Sequence, residues 1–210
     1  VFWGANGSYL VGDLGRTFKP VQGPAHFARG DSYAAQTWSD IPAEDGRRIQ
    51  IAWLRGDLPE MPFNQQMTFP HSLELRSTPR DMRLAAEPIA EIAALRAKSY
   101  CWEDLVVRSG EDPLRDVKGN LLDVQAEVVL GDTPGFGLQV RGVPIVYDAA
   151  EQMLWCQGRA CGCAHQDGLV RLRVLVDRAS VEIYANDGLT VLPMRVVVAE
   201  RGTAVRTLVR

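Results

Sequence analysis

The sequence predicts an all-β fold for this chain of 210 residues, on three observations. Short strand-like runs recur about every 10 to 20 residues, with Gly, Pro and Asp between them, as is typical of sandwiches, barrels and propellers. Helical spacing occurs in one short segment. Residues 176–188 carry a strong hairpin signal, because a strand runs there into an Asn-Asp-Gly turn.

The predicted strands are short and are distributed over the whole chain. Most of them combine β-branched or aromatic residues with turn-forming residues at their ends. They cover residues 8–11, 32–39, 48–54, 67–76, 121–130, 136–141, 144–148, 152–157 and 169–176, followed by the hairpin strands 180–184 and 189–198.

One connector helix is predicted over residues 86–98. Pro88 suits a first helical position, and Ile89, Ile92 and Leu95 follow it at a spacing of three residues. The apolar side chains would therefore lie on one face.

The composition changes across this segment. Ten of the sixteen aromatic residues lie in the first third of the chain, whereas Val and Leu dominate after the helix, as in a sandwich core. We therefore expect two domains, residues 1–84 and 99–210, joined by a linker over residues 85–98.

Composition and charge narrow the classes of partner. Apolar residues make up 46% of the chain and charged residues 23%, which is ordinary for a globular protein. A net charge of −3 offers no attraction to phosphate backbones, so we expect no nucleic-acid partner. No apolar run reaches the roughly 18 residues that a membrane span needs. We expect no membrane partner and no cofactor.

The four cysteines do not have zinc-site spacing, and the three histidines are scattered. Cys156 could pair with Cys161 or Cys163 across a turn. Free thiols on strands are the favoured alternative. We predict no metal site.

Four segments resemble glycoside hydrolase family 32, the β-fructosidases that include invertases, levanases and inulinases. Residues 8–18 are similar to the family's Y-x-V-G-x-F-D-G-x-x-F run, and residues 31–38 to its D-F-Y-A-x-Q-T-F run. Residues 48–53 resemble its R-x-I-x-x-G-W strand, and residues 176–188 its V-D-R-S-S-V-E-V-F-A-N-D-G hairpin. The four runs occur in the family's order.

The resemblance implies an architecture. Family members have a five-bladed β-propeller with the active site in its central funnel, joined by a short linker to a C-terminal β-sandwich. The order of the motifs assigns residues 1–84 to about the last two blades and residues 99–210 to the sandwich. The expected fold is the end of a propeller followed by a sandwich.

The resemblance also implies that the catalytic carboxylates are missing from this sequence. Retaining hydrolysis needs a carboxylate nucleophile and a carboxylic acid about 5 Å apart. The family places its nucleophile in a W-M-N-D-P-N-G motif, a transition-state-binding Asp in R-D-P and its acid/base Glu in an E-C motif, and this sequence contains none of them. Acidic residues at 103–104 and 111–112 look similar to parts of these motifs but follow the linker. We expect them to be solvated residues at the sandwich edge.

Three residues are predicted to bind substrate. By resemblance, Tyr33 and Trp53 match aromatic residues that line the family's fructose pocket, and aromatic rings pack against the apolar faces of sugars. The alternative is that both rings lie in the propeller core. Asp31 could accept hydrogen bonds from two sugar hydroxyls, but turn chemistry at residues 29–31 explains it equally well.

Four other polar residues each have a structural alternative to a functional role. Gln65 and Gln66 could bind a sugar hydroxyl or cap the backbone of their loop. Asp177 and Glu182 fall in the hairpin motif, and the alternation of this strand predicts that Glu182 faces solvent. Neither is expected to be catalytic.

The functional expectation is therefore the C-terminal portion of a β-fructosidase acting on fructans or sucrose by a retaining mechanism. The alternative is a non-catalytic module that binds carbohydrate or stabilises an assembly. We expect the chain to be a piece of a larger enzyme or a degenerate relative of one. An open propeller edge would favour self-association. An extracellular or periplasmic location is suggested by the resemblance alone.

Overall fold

Four antiparallel sheets and one short 3₁₀ helix make up the described part of the chain, so the predicted all-β class is confirmed. The computed structural model describes residues 1–59, 61–196 and 204–209. The strands are β1 (Phe2–Trp3), β2 (Ser8–Leu14), β3 (Phe18–His26), β4 (Ser32–Thr37), β5 (Arg48–Leu54), β6 (Gln66–Met67), β7 (His71–Ser77), β8 (Met82–Pro88), β9 (Leu122–Val129), β10 (Gly135–Val140), β11 (Val143–Asp148), β12 (Met153–Cys156), β13 (Arg159–Gly162), β14 (Leu169–Val176), β15 (Ser180–Ala185), β16 (Thr190–Arg195) and β17 (Val205–Val209).

Two sheets lie before the 3₁₀ helix. The first sheet has the order β1-β2-β3, and the second has the order β4-β5-β7-β8 with β6 paired to β5. Consecutive strands are therefore neighbours, as in the blades of a propeller. No helix among the described residues is long and apolar enough to cross a membrane.

The other two sheets share one hydrophobic core. The five-stranded sheet has the order β13-β12-β11-β10-β17, and the four-stranded sheet has the order β16-β15-β14-β9. Inward-facing side chains of both sheets form a single buried cluster, as in a β-sandwich. Its largest members include Phe136, Ile145, Tyr147, Leu154, Val170, Ile183 and Leu192.

Strand β15 is buried on both faces, since all six of its residues are buried. Val181, Ile183 and Ala185 belong to the sandwich core. Tyr184 belongs to a second buried cluster that also takes in residues of the first two sheets. The period of two in a strand separates these two sets of side chains. The four-stranded sheet therefore lies between two cores.

Backbone hydrogen bonds connect the segment that follows β3 with strand β16, next to the second buried cluster. The Arg29 N–H donates to the Val191 carbonyl at 2.9 Å, and the Val191 N–H donates to the Phe27 carbonyl at 2.9 Å. Together with a parallel bridge between Ala28 and Val191, these bonds extend the four-stranded sheet beyond β16. The connection between β3 and β4 thus covers an edge that would otherwise be open.

The predicted helix over residues 86–98 is wrong in its start and its type. Strand β8 continues to Pro88, because Leu84, Ala85 and Ala86 are buried in pairing with β7. A 3₁₀ helix follows over Ala90–Leu95. Ile92 is buried and Ile89 packs against the same cluster, whereas Leu95 is 79% exposed, so the pattern does not correspond to one buried helical face.

Some strand boundaries agree with the sequence prediction and others do not. Strands β5 and β14 match their predicted bounds, whereas β3, β8 and β13 were not predicted. Strand β3 is irregular, with a shifted register against β2, and its burial lacks a clean alternation. The last predicted positions of the final hairpin strand, 197 and 198, lie outside the described residues.

The cysteines are free thiols in the structure, and Cys156, Cys161 and Cys163 are buried in the sandwich core. Burial raises the pKa of Cys156 and of Cys163 to about 12. Such thiols remain protonated at neutral pH and act as small apolar side chains.

Gly188 supplies the first test of this packing. Its φ is +79°, and a Cβ at this position would lie 2.2 Å from the Ala86 carbonyl oxygen. Gly188→Ala should therefore lower the free energy of unfolding by roughly 2 to 4 kcal/mol, since both backbone strain and a clash oppose it. Urea denaturation measures this loss.

Gly158→Ala is the matched control. Gly158 has a φ of +74°, but its added Cβ would meet nothing within 4 Å. This variant should lower the free energy of unfolding by the cost of backbone strain alone, about 1 kcal/mol. Equal losses in the two variants would show that the contact with Ala86 does not constrain the fold.

Candidate functional site

Tyr33 and Trp53 lie opposite each other on the neighbouring strands β4 and β5. Their ring centroids are 6.5 Å apart at an interplanar angle of 69°, which is the edge-to-face arrangement that aromatic rings favour. Tyr33 is 38% exposed and Trp53 is 37% exposed. Both rings therefore present a surface to solvent, and we call them the aromatic pair.

The indole of Trp53 is held in place by Gln65. The indole N–H donates to Gln65 Oε1 at 2.8 Å, and the Gly56 N–H donates to the same oxygen at 3.2 Å. Gln65 itself has a positive φ of 70°. The loop before β6 thus fixes the orientation of the ring through one amide oxygen.

Arg55 adds a positive charge beside the aromatic pair. Its guanidinium carbon lies 4.9 Å from the centre of the Tyr33 ring, within the range of a cation–π interaction. Its Nε donates to the Asp31 carbonyl at 3.3 Å. No motif in the sequence marked Arg55 as a binding residue, although its position directly after β5 and two residues after Trp53 was a usable signal.

This arrangement suits recognition of a ligand with both apolar and hydroxylated faces. Two exposed rings offer apolar contact area, while the neighbouring guanidinium and the Gln65 amide offer polar groups.

Asp31 is committed to contacts with the sandwich. Its Oδ2 accepts from the Arg195 N–H at 3.1 Å, and its Oδ1 lies 3.5 Å from Arg159 Nη2. Its own N–H donates to the Pro193 carbonyl at 2.9 Å. These contacts favour a structural role, and substrate binding by Asp31 stays a prediction.

Gln66 also faces the sandwich, because its Nε2 donates to the Ala179 carbonyl at 2.8 Å. The two neighbouring glutamines therefore differ. Gln65 supports the aromatic pair, whereas Gln66 joins strand β6 to the turn before β15.

A second polar cluster lies where the second sheet meets the four-stranded sheet. Glu182 is 1% exposed, so the prediction that it faces solvent is wrong. Its Oε1 accepts from the Phe69 N–H at 2.8 Å, and its Oε2 accepts from the Tyr184 hydroxyl at 2.9 Å. The strand alternates as predicted, but the face that was expected to be solvated is covered by the second sheet.

The ionisation of this cluster is perturbed by burial. Burial raises the pKa of Glu182 to about 8, against the lowering effect of the bonds from Phe69 and Tyr184. Burial lowers the pKa of His71 to about 4. His71 Nε2 lies 3.1 Å from Gln50 Oε1. Both titratable side chains are therefore favoured in their neutral forms.

Perturbed pKa values often mark active sites, but the geometry here does not admit a substrate. The cavity beside Glu182 and His71 has a volume of about 10 Å³. No group of three or more metal-ligating side chains occurs among the described residues. The cluster is thus part of the packing between sheets.

The acidic residues after the 3₁₀ helix are in ordinary surroundings. Glu103 and Asp104 are exposed. Glu111 accepts from the Arg108 N–H, and Asp112 accepts from the Thr207 N–H. Glu111 thus stabilises the backbone of its own loop, and Asp112 connects this loop to β17. These roles are those expected of residues at a sandwich edge.

Comparison with protein families gives one match over more than half of the chain. The model described as glycosyl hydrolases family 32 C terminal matches residues 91–203. Levanase of Bacillus subtilis (strain 168) is 28% identical in an alignment that covers 90% of this chain and 33% of the levanase. Raffinose invertase of Escherichia coli is 27% identical, covering 79% of this chain and 37% of the invertase. The chain thus spans about a third of the length of these relatives.

The fold is also shared with solved structures. An exo-inulinase from Aspergillus awamori superimposes with a TM-score of 0.84 at 19% sequence identity, over 98% of this chain and 48% of that protein. At this identity the likeness concerns the fold. The order of sheets is therefore common to both proteins.

The buried acid predicts a pH dependence of stability. Folded Glu182 keeps its proton up to about pH 8, whereas its unperturbed pKa is 4.5. The folded state therefore binds more protons between these values, and stability falls as the pH rises through this window. His71 acts in the opposite sense between about pH 4 and its unperturbed 6.5. The decline in the free energy of unfolding should therefore be visible from pH 6.5 to 8, where His71 no longer opposes it.

Glu182→Gln isolates this contribution, because it keeps the shape and removes the ionisation. The wild type should lose stability relative to this variant as the pH rises from about 4.5 to 8, measured by urea denaturation at each pH. Glu127→Gln is the control, since the Glu127 side chain is 69% exposed. A constant difference between the wild type and Glu182→Gln would contradict the raised pKa.

Proposed function

Because the chain belongs to glycosyl hydrolase family 32, we propose that it forms the C-terminal portion of a β-fructosidase. The enzyme would hydrolyse terminal or internal fructosyl bonds of fructans or sucrose by a retaining mechanism. Relatives described as a levanase and a raffinose invertase support this class of substrate. The observation that carries the proposal is the exposed aromatic pair, which belongs to the segment with the family's motifs.

The aromatic pair would contribute one wall of the fructosyl pocket. Trp53 offers its face to the apolar side of the sugar ring, and Tyr33 meets it edge to face at 6.5 Å. Gln65 and Arg55 would bind hydroxyl groups at the margin of this wall. Asp31 would support the pocket through its backbone carbonyl, which accepts a hydrogen bond from Arg55, in the loop that leads to Tyr33.

The catalytic carboxylates would come from a part of the enzyme outside this sequence. The retaining reaction needs two carboxyl groups about 5 Å apart, flanking the anomeric carbon. The buried acid Glu182 is engaged by Phe69 and Tyr184 in a cavity of about 10 Å³, so it does not serve this purpose. The chain would position substrate rather than cleave it.

The proposed division of the chain follows from these roles. Residues 1–84 would belong to the propeller that carries the pocket, and residues 99–210 would form the sandwich that supports it. Residues 85–98 would connect them. Arg96, which pairs with Asp123 of β9, would anchor the end of this connection.

The first test is hydrolysis. The chain of 210 residues, incubated with sucrose, inulin or levan, should release no fructose above a buffer control. Sustained release in proportion to the amount of protein would show that the catalytic carboxylates are present.

The second test is binding through the aromatic pair. Trp53→Ala should weaken binding of an inulin or levan oligosaccharide at least tenfold in isothermal titration calorimetry, which corresponds to about 1.4 kcal/mol. Trp155→Ala is the matched control, because Trp155 is 45% exposed and lies on β12 of the five-stranded sheet. Unchanged affinity in Trp53→Ala, or no binding by the wild type, would contradict the pocket assignment.

Three apolar side chains on the surface of the first sheet are largely exposed to solvent: Phe2 at 61%, Leu14 at 84% and Val21 at 71%. Exposed apolar surface favours association. We propose that other parts of the enzyme cover this surface, and that the isolated chain self-associates through it.

Sedimentation equilibrium tests this association. The wild-type chain should form dimers or larger species, and the double substitution Phe2→Ser with Val21→Ser should raise the dissociation constant by about tenfold or more. Leu95→Ser is the control, since Leu95 is 79% exposed on the 3₁₀ helix. A monodisperse wild-type monomer would contradict the proposal.

A further inference from the structure

Three buried polar side-chain atoms of the second sheet have no hydrogen-bond partner among the described residues, and one of them is Nε of Arg83 on β8. The other two are Nε2 of Gln50 and Nδ1 of His71, which belong to side chains that share a cavity. Gln50 is 1% exposed and His71 is 4% exposed. Buried polar groups are hydrogen-bonded in the great majority of folded proteins, so these two atoms need an explanation.

Both side chains line the same small cavity, where three sheets meet. Gly7 and Phe27 close it from the side of the first sheet, and Glu182 closes it from the four-stranded sheet. Its volume of about 10 Å³ is close to the smallest that holds one water molecule. A sugar, a phosphate or a nucleotide would not fit.

The donors and acceptors match water better than a cation. The contact of 3.1 Å between His71 Nε2 and Gln50 Oε1 depends on the histidine tautomer for its direction. Either assignment leaves one polar atom of Gln50 to be satisfied. The imidazole also faces the Phe69 backbone, which acts to raise the pKa of His71, but Nδ1 has no partner of hydrogen-bonding geometry among the described residues. Water can both donate and accept. A metal ion would need more ligands, and no metal-ligating group of three occurs among the described residues.

We propose that one internal water molecule is bound in this cavity by Gln50 and His71, with Glu182 as its third partner. The water connects β5 and β7 to β15, so it forms part of the polar contact between the second sheet and the four-stranded sheet. Two to four polar partners are typical for such a water. The neutral carboxyl and imidazole can each exchange donor and acceptor roles with it.

A crystal structure of the chain, at a resolution that orders internal waters, tests the site. The wild type should show one density peak within hydrogen-bonding distance of both Gln50 Nε2 and His71 Nδ1. Gln50→Met keeps the length of the side chain and removes its donors, so the peak should disappear. In Gln66→Met, the matched control, the peak should remain, because Gln66 already donates to the Ala179 carbonyl.

A cavity without density in the wild type would overturn the proposal, as would a peak that contacts neither side chain. A peak that persists unchanged in Gln50→Met would show that Gln50 does not hold it. Oxygen-17 magnetic relaxation of the wild type gives an independent readout in solution. It should detect a long-lived internal water, and its absence would also overturn the site.

Discussion

The double burial of β15 is the constraint on which the rest of the structure depends. A strand packed on both faces cannot alternate between core and solvent, so each of its side chains has to fit a core. Val181 and Ile183 meet the five-stranded sheet, while Glu182 and Tyr184 meet the first two sheets. A change in register by one residue would place a carboxyl group in the sandwich core. The register of β15 is therefore strongly specified.

The same constraint explains why a carboxyl group is tolerated inside. Glu182 accepts hydrogen bonds from a backbone N–H and a hydroxyl group, and burial favours its neutral form. The Phe69 N–H lies between β6 and β7, both of which pair with β5 of the second sheet. One side chain thus satisfies a backbone donor of one sheet from a strand of another, which couples their positions.

The sequence predicted the class of fold and the bounds of β5 and β14, because their burial patterns follow the local composition. It did not predict the surroundings of Glu182, since an alternating strand looks the same whether its polar face meets water or another sheet. The short helix was misjudged because the pairing of β8 with β7 extends past Ala86, and such pairing is not local. Tyr33 and Trp53 were singled out separately. Their pairing, and the support from Gln65, depend on strand register and loop geometry that no single segment contains.

The connection between β3 and β4 runs parallel to β16 and bonds to Val191 and Pro193. This segment therefore serves as an additional strand of a sheet whose other members lie more than 90 residues later in the sequence. Its closure depends on contacts between distant parts of the chain, which slows folding relative to local pairing. A sandwich produced alone would fold with the outer edge of β16, on the side away from β15, unpaired. The two halves of the chain should consequently acquire their structure together, in one cooperative step.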